Sequence, residues 1–136
     1  SARRIASETE LRTFLEQLAA QAAIRRLFVV AGDPPEPMGP YFDALSLIRS
    51  GMLADLGLES VGVSGYPEGH PDIGEPALWG AMFDKRDALA ELGISMTILT
   101  QFGFDPDAIV DWVGKVRDNG VDALIRIGVP GPAGIK

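Results

Sequence analysis

Leu27-Phe28-Val29-Val30-Ala31, closed by Gly32, is the stretch that decides the fold. Five consecutive apolar residues without polar alternation predict a strand buried on both faces, as in a parallel sheet. Upstream, Ser7 and Glu10 form a capping box at a helix start. Leu11, Phe14, Leu15, Leu18 and Ala22 then recur at helical spacing and predict one apolar stripe. Downstream, the helix-then-strand pair repeats. Tyr41 to Leu53 reads as a helix before a Val61-Gly62-Val63 strand, and Ala77 to Leu92 as a helix before a strand over Ser95 to Leu99. In the last unit Asp105 is the N-cap, Pro106 the first helical residue and Asn119-Gly120 the stop. Ala123 to Ile127 follows as a strand, and a Gly/Pro-rich tail ends the sequence.

Four such units without a compositional break predict a single α/β domain over residues 1–136, its parallel strands joined by right-handed crossovers. Two architectures fit. An open doubly wound sheet normally carries a Gly-rich phosphate loop after a strand, and neither G-x-G-x-x-G nor G-x-x-x-x-G-K-[ST] occurs here. Gly128, Gly131 and Gly134 have the wrong spacing for it. That tilts the reading toward a partial (β/α)8 TIM barrel of about four strands, since a whole barrel takes about 250 residues.

Composition narrows the partners. The 136 residues are 46% hydrophobic and 23% charged, with a formal charge of −7, which predicts a globular chain with no nucleic acid and no membrane among its partners. The longest apolar runs fall short of the roughly 20 residues of a membrane span, and Arg3 and Arg4 precede no signal-like apolar region. With no Cys, there is neither disulfide nor thiolate metal site, which fits a cytoplasmic location. One His excludes an imidazole cluster, and no metal is expected.

Polar residues gather where the strands end: Gly32-Asp33-Pro34-Pro35, Tyr66-Pro67-Glu68-Gly69-His70-Pro71, Thr100-Gln101-Phe102-Gly103-Phe104-Asp105, and Gly128-Val129-Pro130-Gly131-Pro132. In either architecture these ends converge on one mouth, where ligands bind. Each residue also has an ordinary explanation. Asp33 before Pro34 serves equally as a turn residue, and Tyr66 and His70 as half-packed loop rings. Thr100 can bond locally to backbone. Lys85, between Asp84 and Asp87, reads on spacing as a solvated charge. Glu8, Glu10, Asp111 and Asp118 fall on helix surfaces, and Trp79 and Trp112 read as packing residues. Gln101 is the strongest site candidate, because an amide directly after a buried strand needs partners that a ligand would supply.

Taken together, Gly32-Asp33, Tyr66-Pro67-Glu68-Gly69-His70-Pro71, Lys85 and Thr100-Gln101-Phe102 with Phe104-Asp105 resemble, in order, the methylenetetrahydrofolate reductase family. The resemblance implies a flavin-dependent barrel of one-carbon metabolism that reduces 5,10-methylenetetrahydrofolate to 5-methyltetrahydrofolate, with FAD as cofactor and NAD(P)H as hydride donor. It implies that Gly32 and Asp33 flank the flavin ring, Asp33 also facing the pterin, and that Tyr41 is the aromatic following this loop. Tyr66 and His70 would contact FAD, and Lys85 would anchor its diphosphate. Gln101 would meet folate or nicotinamide in turn, as a ping-pong reaction at one flavin face requires. Asp33 and Gln101 are thus the catalytic candidates.

The resemblance further implies the middle of a barrel, from the second helix through the sixth strand. The family's catalytic Glu on an early strand has no counterpart, so these residues alone are expected to be inactive and, with unpaired edge strands, to form a homo-oligomer. Two other readings remain open at this level: another flavin-dependent barrel oxidoreductase acting on a one-carbon or pterin substrate, and a non-enzymatic self-assembling half-barrel.

Overall fold

A computed structural model describes residues 1–131. The elements alternate as α1 (Glu8–Ala22), β1 (Arg26–Phe28), α2 (Ala44–Arg49), β2 (Ser60–Gly65), α3 (Glu75–Glu91), β3 (Ser95–Phe102), α4 (Pro106–Asp118) and β4 (Leu124–Gly128), with 3-10 turns at Ala2–Arg4 and Ala54–Leu56. The four strands form one parallel sheet in the order β1-β2-β3-β4. The sheet does not close, and the architecture is that of a partial TIM barrel.

The helix boundaries follow from their caps. Glu10 N–H donates to Ser7 Oγ at 3.1 Å, while the Glu10 carboxylate accepts from Ala6 N–H at 2.7 Å, one residue outside the cap position. Asp105 Oδ1 accepts from the Asp107 and Ala108 amides, with Pro106 next to it in the first turn. The predicted helix over Tyr41 to Leu53 is corrected to a short α2 and a separate 3-10 turn. Asp43 and Ser46 form a reciprocal capping box that starts α2, and the chain breaks at Gly51, where φ is +79°.

The core lies between the helices and one face of the sheet. Val61, Val63 and Ile98 point to that side and are fully buried with Ile48, Leu53, Leu89 and Val116. The alternate residues point the other way. Phe28, Gly62, Thr97 and Leu124 are paired across all four strands and line, with Leu99 and Arg126, a groove of about 630 Å³. Phe28 is 47% exposed and Leu124 59%.

Burial on both faces, expected from the continuous apolar run, therefore holds on the helix side only. The strand is also shorter than Leu27 to Ala31. After Phe28, only Val29 N–H continues toward β2, donating to Gly62 O at 2.9 Å. Val30 and Ala31 instead accept from the Ala2 and Arg3 amides, both at 2.9 Å. On α1 the stripe is narrower than predicted: Leu11 and Leu15 are buried, whereas Phe14 and Ala22 are exposed. Of the Gly/Pro-rich tail, Pro132 and Gly134 lie outside the described residues.

Candidate functional site

The loop after β2 is the best-built part of the mouth. At Gly65 a side chain would meet Ile98 Cγ2 and the Trp112 ring at 2.7 Å, so the strand ends under an indole that only Gly admits. Tyr66 follows at once. A turn closed by Gly69 N–H donating to Tyr66 O at 3.0 Å, with Gly69 at φ +84°, brings His70 back toward Tyr66. The two rings meet edge-on, 5.1 Å apart at 86°. His70 Nδ1 accepts the Asp72 amide at 3.1 Å, which in the neutral ring places the proton on Nε2.

A cavity of about 600 Å³ opens beside this loop, between α3 and α4. Leu78, Met82 and Lys85 face it from α3, and Ala108, Asp111, Trp112 and Lys115 from α4, positions spaced three and four residues apart as one helix face requires. Trp79 stacks on Phe83 and Trp112, with ring centroids 6.0 and 6.2 Å away. Its indole N–H donates to Glu75 Oε1 at 3.2 Å, and Lys115 Nζ lies 3.8 Å from the same oxygen.

Lys85 differs from the solvated charge its spacing predicts. It is half-buried, and burial lowers its pKa, an effect only partly countered by Asp43 at the start of α2. It makes no ion pair or hydrogen bond among the described residues. Asp111, dismissed on sequence as a plain surface carboxylate, lines the same cavity. Among the described residues no group of three or more His, Cys, Asp or Glu could hold a metal ion.

The remaining candidates lie elsewhere. Gly32 has φ +98° and turns the chain into an exposed Asp33. Arg3 clamps this loop: its Nε donates to Phe42 O at 2.8 Å and its Nη1 to Pro34 O at 2.9 Å. Tyr41 is buried, its hydroxyl 3.8 Å from Met52 Sδ. Burial first and the Glu8 carboxylate second push its phenol upward in pKa. Tyr41 does not line the cavity, and neither do Gly32, Asp33 or Gln101.

Gln101 falls inside β3 rather than after it and is exposed, with its Oε1 3.3 Å from the Phe102 amide. Its amide therefore needs no buried partner, and that part of the sequence argument fails. Thr100 does bond to backbone, but across the sheet: its Oγ1 accepts Gly128 N–H at 2.8 Å. The sequence reading also missed Glu68, whose Oε1 accepts the Phe104 and Asp105 amides at 2.8 and 2.6 Å.

A family model described as methylenetetrahydrofolate reductase matches residues 4–131 of the 136. The chain belongs to the methylenetetrahydrofolate reductase family. The match covers every strand and helix described above as well as the loops that bear Asp33, Tyr66, His70, Lys85 and Gln101. Family membership makes the chain a folate-related oxidoreductase domain. It also accounts for the unclosed sheet as barrel architecture rather than a doubly wound one.

No helix among the described residues is long and apolar enough to cross a membrane.

Proposed function

We propose that the chain supplies the FAD-binding part of a methylenetetrahydrofolate reductase, which reduces 5,10-methylenetetrahydrofolate with NAD(P)H in the cytoplasm. The observation that carries this reading is the cavity beside β2, where Tyr66, His70 and Lys85 meet. A half-buried ammonium with no ion pair or hydrogen bond among the described residues, only partly compensated by Asp43, is desolvated, and an anionic diphosphate would restore the charged form. The adjoining rings and the polar edge of His70 suit a flat, hydrogen-bonding cofactor. The residues present fit FAD.

In this reading Lys85 holds the diphosphate, and Tyr66 and His70 bound the cofactor from the β2 loop. Bound FAD supplies the hydride relay between the two substrates. Asp33 lies, exposed, on a loop whose backbone Arg3 anchors through the Pro34 and Phe42 carbonyls, so the position from which its carboxylate projects is fixed. A fixed negative charge favours a cationic iminium at the reacting carbon over a neutral one. Gln101, exposed at the end of β3, offers one acceptor and two donors. It can therefore orient substrates of different shape that visit the same face in turn.

Replacement of Lys85 tests the reading. Loss of a charge-assisted bond to phosphate costs about 1.5–3 kcal/mol, so Lys85→Met should weaken FAD about ten- to a hundredfold and leave riboflavin, which lacks phosphate, nearly unaffected. Equal loss of both flavins would remove Lys85 from the diphosphate. A protein that binds FAD and is bleached by NAD(P)H, yet turns over no methylenetetrahydrofolate, would favour a different pterin or one-carbon substrate.

A further inference from the structure

We infer that Glu68 is a positioning residue, which locks the loop after β3, bearing Gln101, to the loop after β2, bearing Tyr66 and His70. The inference rests on the proposed function and adds to it a coupling between the cofactor side and the substrate side of the mouth. One oxygen of Glu68 accepts both the Phe104 and the Asp105 amide, from a carboxylate 36 and 37 residues away in sequence. Asp105 is itself the N-cap of α4, so Glu68 fixes the point at which that helix begins.

Toward β2 the ladder reaches as far as the Gly65–Thr100 pair, and beyond it the described residues show no side-chain tie on that side but Glu68. Toward β4 the β3 end is held twice, by Thr100 Oγ1 to Gly128 N–H and by Gly103 N–H donating to Gly128 O at 3.3 Å. Toward the loop that bears Tyr66, Glu68 alone among the described side chains bonds to this segment. Gly103 is buried, with its Cβ direction 3.7 Å from Glu68 Oε1 and 2.8 Å from Ile109 Cδ1, so the carboxylate reaches over a glycine. Gln101 lies three residues before this clamp. Among the described residues its own side chain bonds to the neighbouring Phe102 amide alone, so the direction in which it presents its amide follows the backbone, which the ladders hold at Thr100 and Phe102 and Glu68 holds just beyond Gly103.

The test uses the flavin-loaded complete enzyme of which these residues are the FAD-binding part, and two variants. Glu68→Ala removes the acceptor; Glu68→Gln keeps an oxygen of the same shape without the charge. A hydrogen bond to a charged group is worth enough to change an opening equilibrium tenfold or more. In Glu68→Ala the Phe104 and Asp105 amides should exchange with deuterium about tenfold faster or more. The KM for NAD(P)H and for methylenetetrahydrofolate should rise together, by about tenfold, with flavin content and kcat little changed.

Glu68→Gln should recover most of the amide protection and most of both KM values. Unchanged exchange in Glu68→Ala would overturn the inference, and so would faster exchange with both KM values intact. Loss of flavin rather than of substrate affinity would also overturn it, since Glu68 would then serve the cofactor loop alone. Should Glu68→Ala fail to fold, Glu68→Asp takes its place, since it keeps the charge but shortens the reach to both amides: faster exchange with raised KM values supports the lock, and wild-type behaviour in both overturns it. If the unmodified protein is not bleached by NAD(P)H, the reductase reading falls. Amide exchange still decides whether Glu68 fixes the loop.

Discussion

Asp33 and Lys85 show how differently single residues come to a site. Lys85 is placed by a helix face; burial sets it apart from the exposed Asp84, and the lack of an ion pair among the described residues from Arg86, which pairs with Asp87. Asp33 is placed by a glycine with positive φ and by a guanidinium from thirty residues upstream. If Asp33 complements an iminium, Asp33→Asn should slow the folate half-reaction about tenfold or more and leave flavin reduction by NAD(P)H nearly unchanged. Stopped-flow flavin absorbance separates the two steps, and equal losses would refute the assignment. The loop motifs around these residues were legible because Gly, Pro and aromatic residues stand out in a short stretch. Arg3 and Glu68 were not, because each acts on backbone atoms more than thirty residues away, and nothing local in sequence marks a carbonyl or amide as its partner. Asp111 was misread for a related reason: spacing places it on a helix surface, but not on the surface that faces a second helix.

At the level of elements, the end signals were the most readable feature. Ser7 and Asp105 start their helices as their chemistry requires, because a side-chain oxygen at the cap satisfies amides that the helix leaves unpaired. Asp105 accepts two of them, so Asp105→Ala should cost about 1–2 kcal/mol, measured as a lowered denaturation midpoint with an unchanged m-value. A loss well below this range would mean that Glu68, at the same helix start, already secures α4. Apolar patterning was less reliable. It joined α2 and the following 3-10 turn into one helix, since Leu47, Ile48 and Leu53 are all buried whether or not the backbone between them is helical. It also overextended β1, because an apolar run marks burial and not hydrogen bonding. Val29 is buried but has already left the strand, and Val30 and Ala31 pair with the N-terminal segment instead.

On the scale of the whole molecule, the sheet presents two faces of unequal finish. The helix side is closed by Val61, Val63, Ile98 and their partners, and no charged side chain is buried among the described residues. The opposite side holds a groove whose rows run Phe28-Gly62-Thr97-Leu124 and Leu99-Arg126, which in a closed barrel is the packed interior. Among the described residues the outer strands β1 and β4 each have a neighbour on one side only. An exposed apolar sheet face with open edges is a template for association. Expressed as these 136 residues alone, the chain should therefore associate through this face, most simply as a pair, at micromolar concentration. The charged groups on the groove, Arg26, Arg126 and Glu59, are of mixed sign, so charge repulsion does not oppose such pairing. Light scattering coupled to size-exclusion chromatography measures the mass directly. Phe28→Lys together with Leu124→Lys puts two like charges on the row that pairs across all four strands, and should shift the population to monomer. Because Phe28 and Leu124 point away from the helix-side core, the far-ultraviolet circular dichroism should be retained. A monomeric unmodified chain would exclude association through the sheet face. An oligomer indifferent to the two lysines would locate the contact on another surface, the exposed edge of β4 being the first to examine.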